Sequence, residues 1–137
     1  GENKMAEFTI PKHGTVCWRE LQTKDLATAK TFYKELLGWE LEQSKLSPVE
    51  YAEINVGDEA IGGMMELNEG FGEGWEHIPS HWGTYIAVDD CDAAFEAVKS
   101  NGGNVFCPPF DAPNVGRLCI VSDPSGAHFS MIQFIRA

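Results

Sequence analysis

Positive charge is scarce in this sequence: 10 Lys and Arg stand against 21 Asp and Glu, a formal net charge of −11 over 137 residues. A surface of that sign repels a phosphate backbone and an anionic bilayer, which excludes nucleic acid and membrane as expected partners; it serves solubility first, and the same field favours a cationic small molecule. Long apolar runs are missing as well. Nothing approaches the roughly 20 residues that span a bilayer, and the polar start Gly1 to Glu7 has no signal-peptide core, so the expected location is cytoplasmic. Cysteine is sparse: Cys17, Cys91, Cys107 and Cys119 lie far apart with no C-x-x-C pair, a pattern of free, buried thiols that forms neither a zinc knuckle nor a disulfide framework. No P-loop, dinucleotide fingerprint or nucleophile elbow occurs. Gly62-Gly63 imitates a phosphate cradle but falls inside a strand pattern, where a bulge or close backbone packing is expected.

What the sequence does have is enough apolar material for one packed domain, with 43% hydrophobic and 11% aromatic residues. Strand and helix signals follow one another in an order that occurs twice. Thr15 to Gln22 reads as a strand; Asp25 caps a helix carrying Leu26, Ala29, Phe32, Tyr33, Leu36 and Leu37; Gly38 stops it. Three strands follow at Trp39 to Gln43, Tyr51 to Val56 and Ile61 to Leu67, with Gly57-Asp58 as a turn. The second half repeats the series: a strand from His81 to Val88, a helix capped by Asp90 and closed by Gly102-Gly103, then strands at Asn104 to Cys107, Arg117 to Val121 and Ala127 to Phe134. Asp123-Pro124-Ser125-Gly126 forms the last turn.

Superposing the halves at the offset that carries Asp25 onto Asp90 also carries Ala29 onto Ala94, Lys34 onto Lys99, Gly38 onto Gly103, Pro48 onto Pro113, Val56 onto Val121 and Asp58 onto Asp123. These matches include both helix caps, both helix stops and both hairpin turns, and apolar residues pair with apolar ones at Leu21/Ile86, Leu41/Phe106, Met64/Phe129 and Leu67/Ile132. The reading is α+β: two tandem βαβββ modules over residues 14–68 and 81–136, joined by a glycine-rich, acidic linker over residues 69–80 that carries Phe71 and Trp75.

The ordered set Lys24-Asp25-Leu26, Ala29-Lys30-Thr31-Phe32-Tyr33, Leu37-Gly38-Trp39, Ile86-Ala87-Val88-Asp89-Asp90, Asn101-Gly102-Gly103 and Asp123-Pro124-Ser125-Gly126 resembles the vicinal oxygen chelate superfamily, which includes glyoxalase I, the bleomycin resistance proteins and extradiol dioxygenases. Trp18-Arg19-Glu20-Leu21 and Leu37-Gly38-Trp39 look most like its glyoxalase/bleomycin-resistance branch. The resemblance implies a single domain whose modules curl into an incomplete barrel around a cavity, pairing within the chain or across a homodimer; a homodimer is the expectation. It also implies metal-ligand positions on the first and last strand of each module, which map here to Trp18, Gly83, Ser130 and Met65. None is a customary ligand of Zn²⁺, Ni²⁺ or Fe²⁺, so no metal and no other cofactor is expected. Glu66 adjoins Met65, but one carboxylate does not hold a metal.

Residues two apart on a strand share a face. If Trp18 faces the cavity, Glu20 and Gln22 join it, Tyr85 and Ala87 correspond to them in the second module, and His128 shares a face with Ser130. The expected ligand-binding set is Trp18, Glu20, Gln22, Met65, Tyr85, His128 and Ser130, aromatic walls with a few polar groups. Glu20 among Cys17, Trp18 and Leu21 would be desolvated, which suits a general base; an ion pair or a solvated strand end is its structural alternative. Tyr85 and His128 are the candidates for stabilising developing charge. His13, His77 and His81 are expected at strand starts or in the linker, and Phe32, Tyr33 and Trp39 in the core.

The first functional reading is metal-free binding of a small cationic or aromatic compound, stacked on Trp18 and Tyr85 with Glu20 as counter-ion. The alternatives are an enzyme of the same superfamily, of lyase, isomerase or hydroxylase type, with Glu20 moving a proton, with or without a divalent metal held by Glu20, His128 and a further histidine; and an accessory subunit without a ligand.

Overall fold

The computed structural model describes residues 9–47 and 49–135. Gly1 to Glu7 and Pro48, one partner of the Pro48/Pro113 match, lie outside them. The βαβββ order occurs twice: β1 Val16–Thr23, α1 Leu26–Leu37, β2 Glu40–Gln43, β3 Tyr51–Val56 and β4 Glu59–Glu66, then β5 His81–Ala87, α2 Cys91–Ser100, β6 Asn104–Ala112, β7 Gly116–Ser122 and β8 His128–Phe134. The chain is α+β, and its strand pairing is mixed, parallel between β1 and β4 and antiparallel between β2 and β3, β3 and β4, β6 and β7, and β7 and β8. Two compact units are present, one formed by Trp18–Tyr85 and the other by the described residues up to Cys17 and from Ile86 onward.

In the Trp18–Tyr85 unit the strands run in the order β2-β3-β4-β1-β5. Asp25 caps α1 by accepting from the Thr28 backbone N–H at 3.0 Å, and Gly38 ends the helix in the left-handed region at φ 69°, where a side chain would be strained. Alternation along β1 and β3 sends Leu21, Ala52 and Ile54 to one sheet face, where they meet Met64 and Leu26 and are flanked by Ala29, Tyr33, Trp39 and Leu41. The other face is left to Glu20, Gln22 and Tyr51.

The periodicity of α1 overstated its buried side. Phe32 is 55% and Leu36 61% exposed, and Leu37 is exposed as well. The inward line is Leu26, Ala29 and Tyr33; Phe32 and Leu36 sit further round the helix, and Leu37 lies in its last residue. Tyr33 is covered by aromatics instead: its ring stacks on Trp39 at 5.4 Å, and Trp82 closes edge-on over both, donating its indole N–H to the Tyr33 hydroxyl at 3.1 Å. The linker folds into two short 3₁₀ turns, Glu69–Phe71 and Trp75–His77. Lys24 ties it down by donating from its backbone N–H to Ser80 Oγ and from Nζ to the Glu76 carbonyl.

The other unit builds its core from Cys91 and Phe95 of α2 packed on Cys119, Val121 and Met131 of the sheet. Asp90 caps α2 through the Ala93 N–H at 3.0 Å, as Asp25 caps α1. The helix stops differ. α2 is shorter, and the positive φ falls on Gly102 at 85°, not on Gly103; a side chain on Gly103 would collide with the Ser122 carbonyl and Val98. The strand expected to end at Cys107 runs on to Ala112 through Pro108-Pro109; its pairing with β7 shifts register between Val105 and Cys107 and again between Cys107 and Phe110, the second shift spanning the two prolines, which have no N–H for the ladder.

Candidate functional site

β1 delivers Trp18, Glu20 and Gln22 to the sheet face that points away from α1. Glu20 is 4% exposed. Its carboxylate Oε1 accepts from Gln22 Nε2 at 2.8 Å and from Tyr85 Oη at 2.9 Å. Tyr51, on β3, completes the group: its hydroxyl accepts the Trp18 indole N–H at 2.8 Å and is also hydrogen-bonded to Glu20. An indole nitrogen and an amide nitrogen only donate, and an ionised carboxylate only accepts, so the directions are fixed: Trp18 to Tyr51 to Glu20, with Gln22 and Tyr85 converging on the same carboxylate. Burial, and then the negative charge of Glu20, hold the Tyr51 phenol well above the usual tyrosine range.

None of the ion pairs among the described residues involves Glu20. The expected counter-charge is replaced by three neutral donors, which satisfy a buried carboxylate without bringing a second charge out of water. Neighbouring positions add more acid. Strand register aligns Glu20 with Gly63, Gly63 with Glu53, and Glu53 with Glu42, so one row across four strands carries three carboxylates. The next row aligns Gln22, Met65 and Tyr51. Trp18, Tyr51, Glu53 and Met65 are half-buried and Glu42 is exposed, so the face is open to solvent along part of its length.

Five of the seven expected ligand-binding residues therefore belong to one unit: Trp18, Glu20, Gln22 and Tyr85 within the hydrogen-bonded group and Met65 beside it. His128 and Ser130 belong to the other unit. There Ser130 is buried and faces Ile120 across the β7–β8 ladder, while the exposed His128 lays its ring 4.4 Å from that of Phe106. His13 accepts from the Asp89 backbone N–H, and His81 Nδ1 lies 2.8 Å from the Pro79 carbonyl.

Sequence reasoning missed Tyr51. The signal was present: in Tyr51-Ala52-Glu53-Ile54-Asn55 the apolar positions belong to the helix side, which leaves Tyr51 and Glu53 on the face of Glu20. Of the Gly62-Gly63 pair, expected to mark a bulge or close backbone packing, Gly62 lies against the Arg19 backbone carbonyl, while at Gly63 the close neighbour is a side chain, the Tyr51 ring and hydroxyl. Two surface concavities in the same unit lie elsewhere, one bordered by Lys24, Glu66, Asn68 and Trp75, the other by Lys30, Lys34, Gln43 and Glu50.

The positions mapped for metal ligation, Trp18, Gly83, Met65 and Ser130, offer an indole already donating to Tyr51, no side chain, a thioether and a hydroxyl. Such a set does not fit a hard or borderline divalent ion, and no group of three His, Cys, Asp or Glu side chains suited to a metal occurs among the described residues. No helix among them is long and apolar enough to cross a membrane.

Two βαβββ modules, with a polar face on the sheet of one of them, define a fold class that sequence comparison places in a family. The chain belongs to the Glyoxalase/Bleomycin resistance protein/Dioxygenase superfamily, whose family model matches residues 15–131. It is 37% identical over 135 residues to "Putative glyoxylase CFP32" of Mycobacterium tuberculosis, covering 95% of this chain and 48% of that protein. It is 34% identical over 134 residues to "Anthracycline biosynthesis protein DnrV" of Streptomyces peucetius, covering 97% and 46%. The chain thus spans about half the length of these curated relatives. Among solved structures, methylmalonyl-CoA epimerase from Mycobacterium tuberculosis shares the fold, with a TM-score of 0.58, 17% identity and 96% of each chain covered.

Proposed function

We propose that the face built on Trp18, Glu20, Tyr51 and Tyr85 binds a small cationic aromatic compound without the help of a metal. The observation that carries this reading is the Glu20 carboxylate, buried and in no ion pair among the described residues, in a row with Glu53 and Glu42. Two like charges directly opposite one another on adjacent strands, as Glu53 and Glu42 are, cost stability that a bound cation returns. The Trp18 and Tyr51 rings supply flat π surface beside that charge, the combination that attracts an organic cation. The excess of acid over the whole chain adds to the attraction at long range.

A relative named for anthracycline biosynthesis supplies the first probe. An amino-sugar anthracycline such as daunorubicin joins a planar ring system to a protonated amine, and its fluorescence reports binding. Titration of the chain with daunorubicin should give saturable quenching, weakened about tenfold or more in Trp18→Ala. Indifference of the chain to daunorubicin and to a panel of other cationic aromatics overturns the reading.

One observation favours a second reading, proton transfer by the same group. Tyr85 Oη already lies 2.9 Å from Glu20 Oε1, a distance at which a proton moves between oxygens once a substrate alters their basicity. Three hydrogen-bond donors already occupy the Glu20 carboxylate, so a substrate would have to displace one of them, which ranks this reading second. Glu20→Gln would abolish turnover and leave affinity nearly unchanged; unchanged turnover removes Glu20 from that role.

A further inference from the structure

We propose that Tyr51, seated in the space left by Gly63, is the positioning residue of this face: it fixes the orientation of Trp18 and Glu20 together and so sets the geometry that a ligand meets. The inference rests on the binding reading above for its ligand but on local geometry for the positioning itself.

Gly63 sits in an ordinary strand pairing, opposite Glu20 on one side and Glu53 on the other, and is not among the glycines with positive φ. Backbone conformation therefore does not call for glycine at this point. Space does. A Cβ at Gly63 would overlap Oη, Cε1 and Cζ of Tyr51, so the ring lies flat over the glycine. By register Tyr51 stands opposite Met65, one row further along; its ring leans diagonally across β4 to reach β1, and it does so over the one position that has no side chain. Any side chain there blocks the path.

Tyr51 is also the link between two residues that do not depend on each other directly. Trp18 and Glu20 are two apart on β1 and would keep separate rotamers if Tyr51 were absent. With its hydroxyl between them, the indole N–H has an acceptor and the carboxylate has a third donor. The charged groups facing that hydroxyl are Glu20 from β1 and Glu53 from its own strand, both acidic, so the phenol stays protonated and keeps its direction of donation. Met65 and Tyr51, paired across β3 and β4, stand on that side of the face.

The test uses the whole chain labelled with ¹³Cζ-tyrosine and ¹⁵N-tryptophan, comparing wild type with Gly63→Ala, Tyr51→Phe and Glu20→Gln. Tyr51→Phe assigns the Tyr51 signal and should move the Trp18 indole N–H resonance. In wild type the Tyr51 carbon should report an un-ionised phenol at pH values above the ordinary phenol value of about 10. In Gly63→Ala, with the ring expelled, it should titrate near that ordinary value, and the Trp18 indole signal should shift as it does in Tyr51→Phe. Glu20→Gln should lower the Tyr51 titration while leaving the indole bond in place. Daunorubicin affinity should fall at least about tenfold in Gly63→Ala. An unshifted Trp18 indole in Tyr51→Phe, or a Gly63→Ala protein in which Tyr51 still resists titration, overturns the positioning role; if Gly63→Ala does not fold, the Tyr51→Phe and Glu20→Gln spectra decide alone. Should wild type bind no cationic aromatic while the spectra behave as described, the binding reading fails and the positioning chain stands.

Discussion

The two modules use their helix-side faces alike and their other faces differently. Beneath α1 lie Leu21, Ala52, Ile54 and Met64; beneath α2 lie Cys119, Val121 and Met131, packed on its Cys91 and Phe95. Each sheet buries one apolar face against one helix capped by an aspartate. On the opposite faces the repeat diverges. The offset that carries Asp25 onto Asp90 carries Glu20 onto Tyr85, Gln22 onto Ala87 and Met65 onto Ser130, so the acid and the amide have no counterparts in the second module. A duplicated scaffold keeps what packing requires and varies what chemistry uses. The contrast also explains why Glu20 is tolerated: its donors come from β3 and β5 as well as β1, a convergence that only the folded sheet produces.

The contrast is sharpest for single substitutions. Glu20→Leu leaves two buried donors, Gln22 and Tyr85, and the half-buried Tyr51 without their shared acceptor and should cost about 4 kcal/mol in urea unfolding, against about 1 kcal/mol for Ser130→Ala on the corresponding face. Equal costs would break the distinction between the faces. On the helix sides the opposite holds: Met64→Ala and Met131→Ala, each opening a cavity in a packed core, should both cost about 3 kcal/mol.

A smaller effect separates the units by pH. Burial, then the neighbouring Cys91, push the Cys119 thiol from 9.0 up to about 12. Burial and Glu20 raise the Tyr51 phenol above 10.0. Each group holds its proton more tightly in the folded chain than in the unfolded one. Their contributions are complete below pH 9 and pH 10 respectively and are lost as the pH rises through the raised values, at about 1.4 kcal/mol per pH unit for each group. Cys119→Ala should flatten the alkaline decline from pH 9 upward, and Tyr51→Phe only from pH 10 upward. Denaturation midpoints across that range read both; identical onsets would show that the two groups do not titrate separately.

The fold was largely legible because its signals are local. Asp25, Gly38, Asp90 and the turn at Asp123, whose carboxylate accepts from the Ser125 and Ala127 N–H groups, act on residues within a few positions. The strand bounds moved by a residue or two, except for β6, which was expected to end at Cys107 and runs on through Pro108-Pro109 to Ala112 as an irregular edge. The site was only half legible. Period-two alternation placed Trp18, Glu20 and Gln22 together, and the repeat offset named Tyr85, but Tyr51 reaches them diagonally across β4, and diagonal reach depends on what stands between, here the bare backbone of Gly63. The helix aromatics erred for a related reason: Trp82 arrives from β5 to cover Tyr33, which leaves Phe32 in solvent.

The account turns on whether the unpaired charge of the Glu20 face selects a cation, and equilibrium dialysis of the metal-depleted chain at pH 8 against N-methylacridinium and the neutral, equally flat acridine tests it directly. The cation should bind at least tenfold more tightly, about 1.4 kcal/mol, and the preference should collapse in Glu20→Gln. Equal affinity for the two rings, or a preference for the cation that survives in Glu20→Gln, would contradict it.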